Sequence, residues 1–214
     1  MGTILCYGDS NTWGYEPATG ERFPEDVRWT GVLARQLGND FRVIEEALNG
    51  RTTVRDDPVE EYKNGKDYLR PCLESHAPLD LVIVALGVND LKARFFASAS
   101  DAADGVGVLV SIAQRSGAGP DGGSPGVLLV APPPVGRLTE LAQMFAGAEE
   151  KSKGFSRQYR RVAEKYRCML LDAGEVVRPS DRDGIHLEAD EHRKLGEAIA
   201  ASVKESLGLQ GDVT

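Results

Sequence analysis

Short apolar segments recur along the chain and have the length and composition of β-strands. One of them, Leu79–Leu86, contains six consecutive apolar residues without polar alternation, as is typical of a strand buried on both faces of a sheet. The predicted strands are Thr3–Tyr7, Arg42–Ala47, Leu79–Leu86, Gly126–Val130 and Cys168–Asp172.

Segments with helical periodicity lie between these strands. In Glu188–Leu207 apolar residues recur every four positions from Leu195 onward, which indicates a helix with one buried face. The other predicted helices are Val27–Leu37, Asp101–Gln114 and Glu149–Tyr166. Because strands that alternate with helices form βαβ units, we predict the α/β class. The expected architecture is a three-layer α/β/α flavodoxin-like fold with a five-stranded parallel sheet.

The length of the chain fits one domain. It has 214 residues, which is within the usual size of a single domain, and it shows no internal repeat and no linker-like segment. We therefore predict one domain over residues 1–207 and a frayed C-terminal tail over residues 208–214.

The charge of the chain and its cysteines indicate which partners and which cellular compartment to expect. Acidic residues outnumber basic ones by 33 to 25, giving a net charge of −8, which disfavours nucleic acid as a partner. No apolar run approaches the roughly 20 residues that cross a bilayer, and the N-terminus lacks a basic, apolar leader. The three cysteines lie in or beside apolar runs, as reduced structural thiols do. We expect a cytoplasmic protein with no nucleic-acid or membrane partner.

Four polar clusters follow predicted strands, and the last of them also precedes the final helix. In open parallel sheets, ligands bind beyond the carboxyl ends of the strands, so these clusters are expected to converge on one edge. They are Gly8-Asp9-Ser10, Asn49-Gly50-Arg51, Gly87-Val88-Asn89-Asp90 and Asp183-Gly184-Ile185-His186.

The residue types in these clusters suit nucleophilic catalysis. The Ser10 hydroxyl is a weak nucleophile until a base takes its proton, and His186 can be that base. Asp183, three residues before His186, can hold the imidazole in the required tautomer. The backbone N–H groups of Ser10 and Gly50 and the side chain of Asn89 can form an oxyanion hole, in which each donor contributes roughly 3–4 kcal/mol.

The four clusters, in this order and spacing, resemble the motif blocks of the SGNH hydrolases, also called GDSL esterases. Arg28-Trp29-Thr30-Gly31 and Arg51-Thr52-Thr53 resemble the small bacterial arylesterase/acyltransferase branch. The resemblance implies a flavodoxin-like fold and hydrolysis of small short-chain acyl esters without metal or cofactor. It also implies a homo-oligomer. If the pocket excludes water, an alcohol could take the acyl group from the acyl-enzyme, which would add acyltransferase activity. Asn11 departs from the pattern, since many members have Leu or Ile there, and we interpret it as a turn residue.

Structural interpretations of the same residues remain open at this stage. Ser10 and Asn89 could cap turns or helices, and His186 could be a helix-entry histidine. We place His192 on the surface of the last helix and His76 at the opposite end of the sheet. His186, Glu188, Asp190 and His192 could also be metal ligands, but their alternating spacing puts them on different helix faces.

The substrate pocket is less defined by the sequence. Trp13 and Tyr15 follow the nucleophile and Pro132–Pro134 follows the fourth strand, so Trp13 and Pro133 are candidate pocket residues. Alternatives to a short-chain esterase are a sugar O-acetylesterase, a thioesterase or lysophospholipase, and a non-catalytic flavodoxin-like binding module.

Overall fold

A computed structural model describes residues 1–206 of the chain. It contains one parallel sheet with the strand order β2-β1-β3-β4-β5. The strands are β1 Gly2–Gly8, β2 Phe41–Ala47, β3 Leu81–Ala85, β4 Gly126–Ala131 and β5 Met169–Asp172. The predicted tail 208–214 and the predicted helix end at Leu207 lie outside the described residues.

Helices cover both faces of the sheet. They are α1 Ser10–Trp13, α2 Trp29–Leu37, α3 Gly65–His76, α4 Ala99–Gln114, α5 Ala148–Ser152, α6 Phe155–Tyr166 and α7 Ala189–Ser206. Helices α2 and α7 pack on one face, and α3, α4 and α6 pack on the other. The predicted three-layer α/β/α fold is therefore confirmed, and within residues 1–206 no helix is both long and apolar enough to span a membrane.

Successive side chains of β1 point to opposite faces of the sheet, where they pack into two separate core layers. Ile4 and Cys6 face the α2/α7 layer, whereas Leu5 and Tyr7 face the α3/α4/α6 layer. All four side chains are fully buried, as expected for a central parallel strand. This packing fixes β1 as an interior strand between β2 and β3, and its carboxyl end carries the first polar cluster.

Two helical segments differ from the prediction. Helix α3 was missed because only Leu69, Cys72 and Leu73 among its longer side chains are fully buried and because it contains Pro71, a residue that usually ends helices. The predicted helix 149–166 is divided into α5 and α6. At the break, a Cβ on Gly154 would lie 3.1 Å from the Cβ of Ala99, so the chain passes close to the start of α4.

The prediction that His192 lies on the surface is wrong. Its side chain is fully buried, because the face of α7 that packs on α2 includes position 192 together with Leu195 and Ile199. The Trp29 N–H points at its Nδ1 at 3.4 Å, and the ring of Phe23 meets it edge-on. Burial lowers the pKa of His192 to about 4, with a smaller effect of the positive charges of His186 and Arg28.

Candidate active site

Ser10 begins α1 directly after β1 and is almost completely buried. Asp9 caps this short helix, since its Oδ1 accepts the Asn11 N–H at 3.1 Å. The helix ends at Gly14, which has a left-handed backbone. Asp9 thus fixes the turn after β1, and Ser10 is held at the carboxyl edge of the sheet.

Asp183 and His186 approach Ser10 from the segment that precedes α7. His186 Nε2 lies 2.9 Å from Ser10 Oγ, and His186 Nδ1 lies 2.6 Å from Asp183 Oδ2. Asp183 Oδ1 also accepts the N–H groups of Ile185 and His186. Gly184 has a φ of +79°, a conformation that glycine adopts without steric cost. The structure therefore brings the three predicted residues into one hydrogen-bonded chain.

The charge state of Asp183 fixes the direction of these hydrogen bonds. Burial favours the protonated carboxyl, but the His186 ring and the two backbone N–H groups outweigh it and lower the pKa of Asp183 below its usual value. An ionised Asp183 accepts a hydrogen bond from His186 Nδ1–H. His186 Nε2 is then free to accept the proton of Ser10.

Gly50 and Asn89 come from the loops after β2 and β3. Gly50 has a φ of +78°, and within residues 1–206 its N–H has no hydrogen-bond acceptor. Asn89 lies inside a one-turn 3₁₀ helix, Val88–Leu91, and its side chain donates to Arg51 O at 3.1 Å instead of capping a helix. Both residues face the same cavity as Ser10 and His186.

Asp90 joins the loops after β2 and β3. Its two carboxylate oxygens accept the N–H and the hydroxyl of Thr53 at 2.9 and 2.6 Å. Burial raises the pKa of Asp90 to about 6, although the bonds from Thr53 oppose the shift. This carboxylate therefore holds the two loops together.

The cavity over Ser10 has a volume of about 590 Å³. One part of its wall is apolar and includes Leu141, Met144 and Phe145 from the long segment after β4. Another part carries the charged residues Glu60 and Lys92. Lys92 is almost fully buried and pairs with Asp57 at 3.1 Å and with Glu60.

Of the residues considered for the pocket, Tyr15 lines this cavity and its ring lies 4.1 Å from the ring of His186. Trp13 and Pro133 were also predicted for the pocket, but neither lines this cavity. The guanidinium of Arg22 covers Trp13, and Pro133 lines a separate cavity of about 40 Å³. The sequence missed Lys92 and the 141–145 wall because they lie in loops without periodicity or a known motif.

The alternative metal set around His186 is not assembled. Within residues 1–206, the His, Cys, Asp and Glu side chains close enough to share a metal ion are Glu46, Cys72 and His76. His76 ends α3 and pairs with Glu46 at 2.8 Å; it does not line the cavity over Ser10.

Comparisons with known proteins agree with this fold. Residues 6–194 match the model of the GDSL-like lipase/acylhydrolase family. The native aryl esterase of M. smegmatis is 45% identical, with a TM-score of 0.92 over 96% of this chain and 99% of its own. A carbohydrate acetylesterase from Sinorhizobium meliloti is 40% identical, with a TM-score of 0.93 over 96% of this chain and 100% of its own.

More distant structures support the fold alone. A member of the lipolytic G-D-S-L family from Veillonella parvula is 11% identical and has a TM-score of 0.69 over 94% of this chain and 97% of its own. No curated protein sequence matches the chain significantly.

The parallel sheet and the hydrogen-bonded Ser10, His186 and Asp183 define a serine hydrolase of α/β architecture. The chain belongs to the GDSL-like lipase/acylhydrolase family, and it is an esterase.

Proposed function

We propose that this esterase hydrolyses short-chain acyl and aryl esters through an acyl-enzyme on Ser10. The observation that carries the proposal is the hydrogen-bonded chain from Asp183 through His186 to Ser10. This chain opens into a cavity that Gly50 and Asn89 also line.

Acylation follows from this geometry. Ser10 Oγ attacks the ester carbonyl carbon while its proton passes to His186 Nε2. The negative charge on the carbonyl oxygen is stabilised by the N–H groups of Ser10 and Gly50 and by Asn89 Nδ2. His186 then protonates the leaving oxygen as the carbon–oxygen bond breaks, and Asp183 stabilises the imidazolium meanwhile.

Deacylation repeats these steps with water. His186 takes a proton from water, the resulting hydroxide adds to the acyl carbonyl, and Ser10 Oγ leaves with the proton held by His186. An alcohol that enters in place of water receives the acyl group, so acyl transfer accompanies hydrolysis where water is scarce in the cavity. Protein groups fill every role in this scheme, which needs no cofactor.

Hydrolysis of acyl and aryl esters in this cavity is supported by its apolar wall and by a relative. The wall formed by Leu141, Met144 and Phe145 offers apolar contact close to Ser10, and burial of a few CH₂ groups there contributes about 0.8 kcal/mol each. The similar M. smegmatis protein is an aryl esterase.

A sugar O-acetylesterase is the second candidate function. Glu60, Lys92 and Arg182 line the same cavity, and charged groups suit a leaving alcohol with several hydroxyls. The similar Sinorhizobium meliloti protein is a carbohydrate acetylesterase.

The experiment is a panel of p-nitrophenyl esters from acetate to laurate, with acetylated sugars, thioesters and lysophospholipids alongside. We expect kcat/KM to be highest for acyl chains of about two to four carbons, as the resemblance to the small arylesterase branch implies. A maximum on long chains or lysophospholipids would contradict the proposal. A clear preference for acetylated sugars would favour the second candidate, and no turnover of any ester would favour a binding module.

We also propose that the protein is a homo-oligomer. Val59, Tyr62 and Phe96 expose large apolar side chains. Their segments lie together, because Lys92 and Arg94 pair with Asp57. Light scattering after gel filtration tests the proposal, and a monomeric mass would contradict it.

Two further expectations belong to the proposal. A cytoplasmic location is consistent with free thiols at Cys6, Cys72 and Cys168, because proteins of reducing compartments rarely form disulfides. A single domain over residues 1–207 is consistent with one sheet covered by two helical layers.

A further inference from the structure

Asn11, the residue after Ser10, binds the peptide groups on both sides of His186. Its Nδ2 donates to Ile185 O at 3.1 Å, and its Oδ1 accepts the Leu187 N–H at 3.0 Å. The two bonds span 174 and 176 positions of the sequence. They join the nucleophile helix to the histidine segment.

The chemistry of the two partners requires a carboxamide. One partner is a carbonyl and the other an N–H, so only a side chain with both a donor and an acceptor satisfies them together. Ile185 and Leu187 are buried. Without Asn11 their peptide groups would lose these partners in a partly buried site, where an unpaired backbone group costs stability.

Most other hydrogen bonds of this segment are local, and the exception, from Gly136 N–H to Gly184 O at 2.8 Å, joins it to the segment after β4 and not to α1. Asp183 accepts from the backbone of Ile185 and His186, and the Ser180 N–H donates to His186 O at 2.7 Å. These bonds shape the turn but do not set its distance from Ser10. Within residues 1–206, three hydrogen bonds join α1 to residues 183–187. Two are made by the side chain of Asn11, and the third is the Ser10–His186 bond itself.

We propose that Asn11 is a positioning residue that sets the distance between His186 Nε2 and Ser10 Oγ. This inference rests on the proposed function of Ser10 and His186. Because Asn11 is adjacent to Ser10 in the chain, its two bonds place the imidazole directly relative to the nucleophile. A misplacement of about 1 Å in such a pair can reduce the rate roughly 100-fold.

The test compares Asn11→Leu with Asn11→Asp. Leu has nearly the shape of Asn but forms neither bond, whereas Asp keeps the acceptor for Leu187 N–H and sets an oxygen against Ile185 O. We expect Asn11→Leu to lower kcat roughly 10- to 100-fold with little change in KM. The rate of covalent labelling of Ser10 by a fluorophosphonate should fall in parallel. In the NMR spectrum, the Nδ1–H resonance of His186 should broaden as its ring becomes mobile.

Asn64→Leu is the matched control. Asn64 also makes two side-chain hydrogen bonds, with Asp56 and with the Lys66 N–H, and it does not line the cavity over Ser10. We expect this variant to lower the melting temperature and to leave kcat unchanged. If Asn11→Leu shows only a lower melting temperature, the positioning role is wrong and Asn11 merely stabilises the fold.

The inference and the proposed function fail in different ways. Retained activity in Ser10→Ala would overturn the proposed function and with it the role of Asn11. An inactive Ser10→Ala together with a fully active Asn11→Leu would overturn the positioning role alone. If Asn11→Leu does not fold, Asn11→Asp decides the matter, because wild-type kcat in that variant would also contradict the inference.

Discussion

Asn89 is held by a bond that leaves one of its donors free for chemistry. Its amide nitrogen carries two hydrogens, and one is directed to Arg51 O. The residue is buried beside Ser10 in the cavity wall. A donor oriented in this way needs no reorganisation when negative charge develops on the substrate oxygen, and this makes such donors effective.

Replacing Asn89 with Ala should therefore slow acylation. We expect kcat to fall about 10²- to 10³-fold and KM to change less, because the lost bond strengthens in the transition state. Asn89→Asp should be slower still, since it places a negative charge beside the oxyanion. Steady-state kinetics on p-nitrophenyl acetate check this, and an unchanged kcat in both variants would remove Asn89 from the active site.

At the level of individual residues, the sequence identifies groups whose roles are local. Ser10, Asp183 and His186 stand in short motifs whose spacing suits one chemistry. The partners of Asn11 are more than 170 positions away, so no local pattern indicates them. The burial of His192 depends on how α7 packs against α2. The sequence alone does not show that position 192 belongs to the buried face of α7.

At the level of elements, the buried side chain of Arg51 helps to hold the loop after β2 in place. Arg51 Nη1 donates to Gly8 O and Glu46 O at 3.0 and 2.6 Å, and its guanidinium lies 4.3 Å from the ring of Tyr7. The backbone carbonyl of Arg51 also accepts a hydrogen bond from Asn89 Nδ2. Arg51 thus ties the loop that carries Gly50 to β1, β2 and the loop after β3.

Arg51→Met should loosen this loop, because it keeps a long side chain but removes the donors. We expect a loss of about 1.5–3 kcal/mol in the free energy of unfolding, as for other hydrogen bonds to charged groups, and a fall in kcat of roughly tenfold or more as Gly50 and Asn89 lose their alignment.

Arg70→Ala is the control for Arg51→Met, since Arg70 pairs with Glu74 on the exposed side of α3. Such surface pairs contribute little, and both stability and kcat should stay near wild type. Equal effects of the two substitutions would contradict the role of Arg51.

The elements themselves were predictable where burial is continuous. All five strands appear within a few residues of the predicted ends. The interior strands β1, β3 and β4 are largely apolar, as parallel strands buried on both faces are. Helix α3 was missed because it is mostly polar and contains Pro71. The cavity wall at Leu141, Met144 and Phe145 lies in a long segment where tertiary contacts, not periodicity, decide which side chains point inward.

For the whole molecule, buried titratable groups set how stability depends on pH. His192 has a pKa of about 4 in the fold, against its usual 6.5. The unfolded chain therefore binds a proton between these values that the folded chain does not, and stability falls as the pH drops from 6.5 to 4. Burial raises the pKa of Asp9 and Asp90 to about 6, which has the opposite effect between pH 6 and 4.

His192→Asn isolates the histidine contribution. Asn can accept the Trp29 N–H as Nδ1 does, but it does not titrate. We expect the variant to lose less stability than the wild type between pH 7 and 4.5, by about 2–3 kcal/mol. Urea unfolding at several pH values measures this. Parallel curves for the two proteins would show that His192 is not buried as a neutral ring.

The most direct test of the account is covalent trapping at Ser10. Wild-type protein treated with a fluorophosphonate should gain one label, and peptide mapping should find it on Ser10. Folded Ser10→Ala should take up no label and lose at least about 10³-fold in kcat. A label on another residue, or more than a few per cent of wild-type activity in Ser10→Ala, would contradict the central claim that Ser10 is the nucleophile.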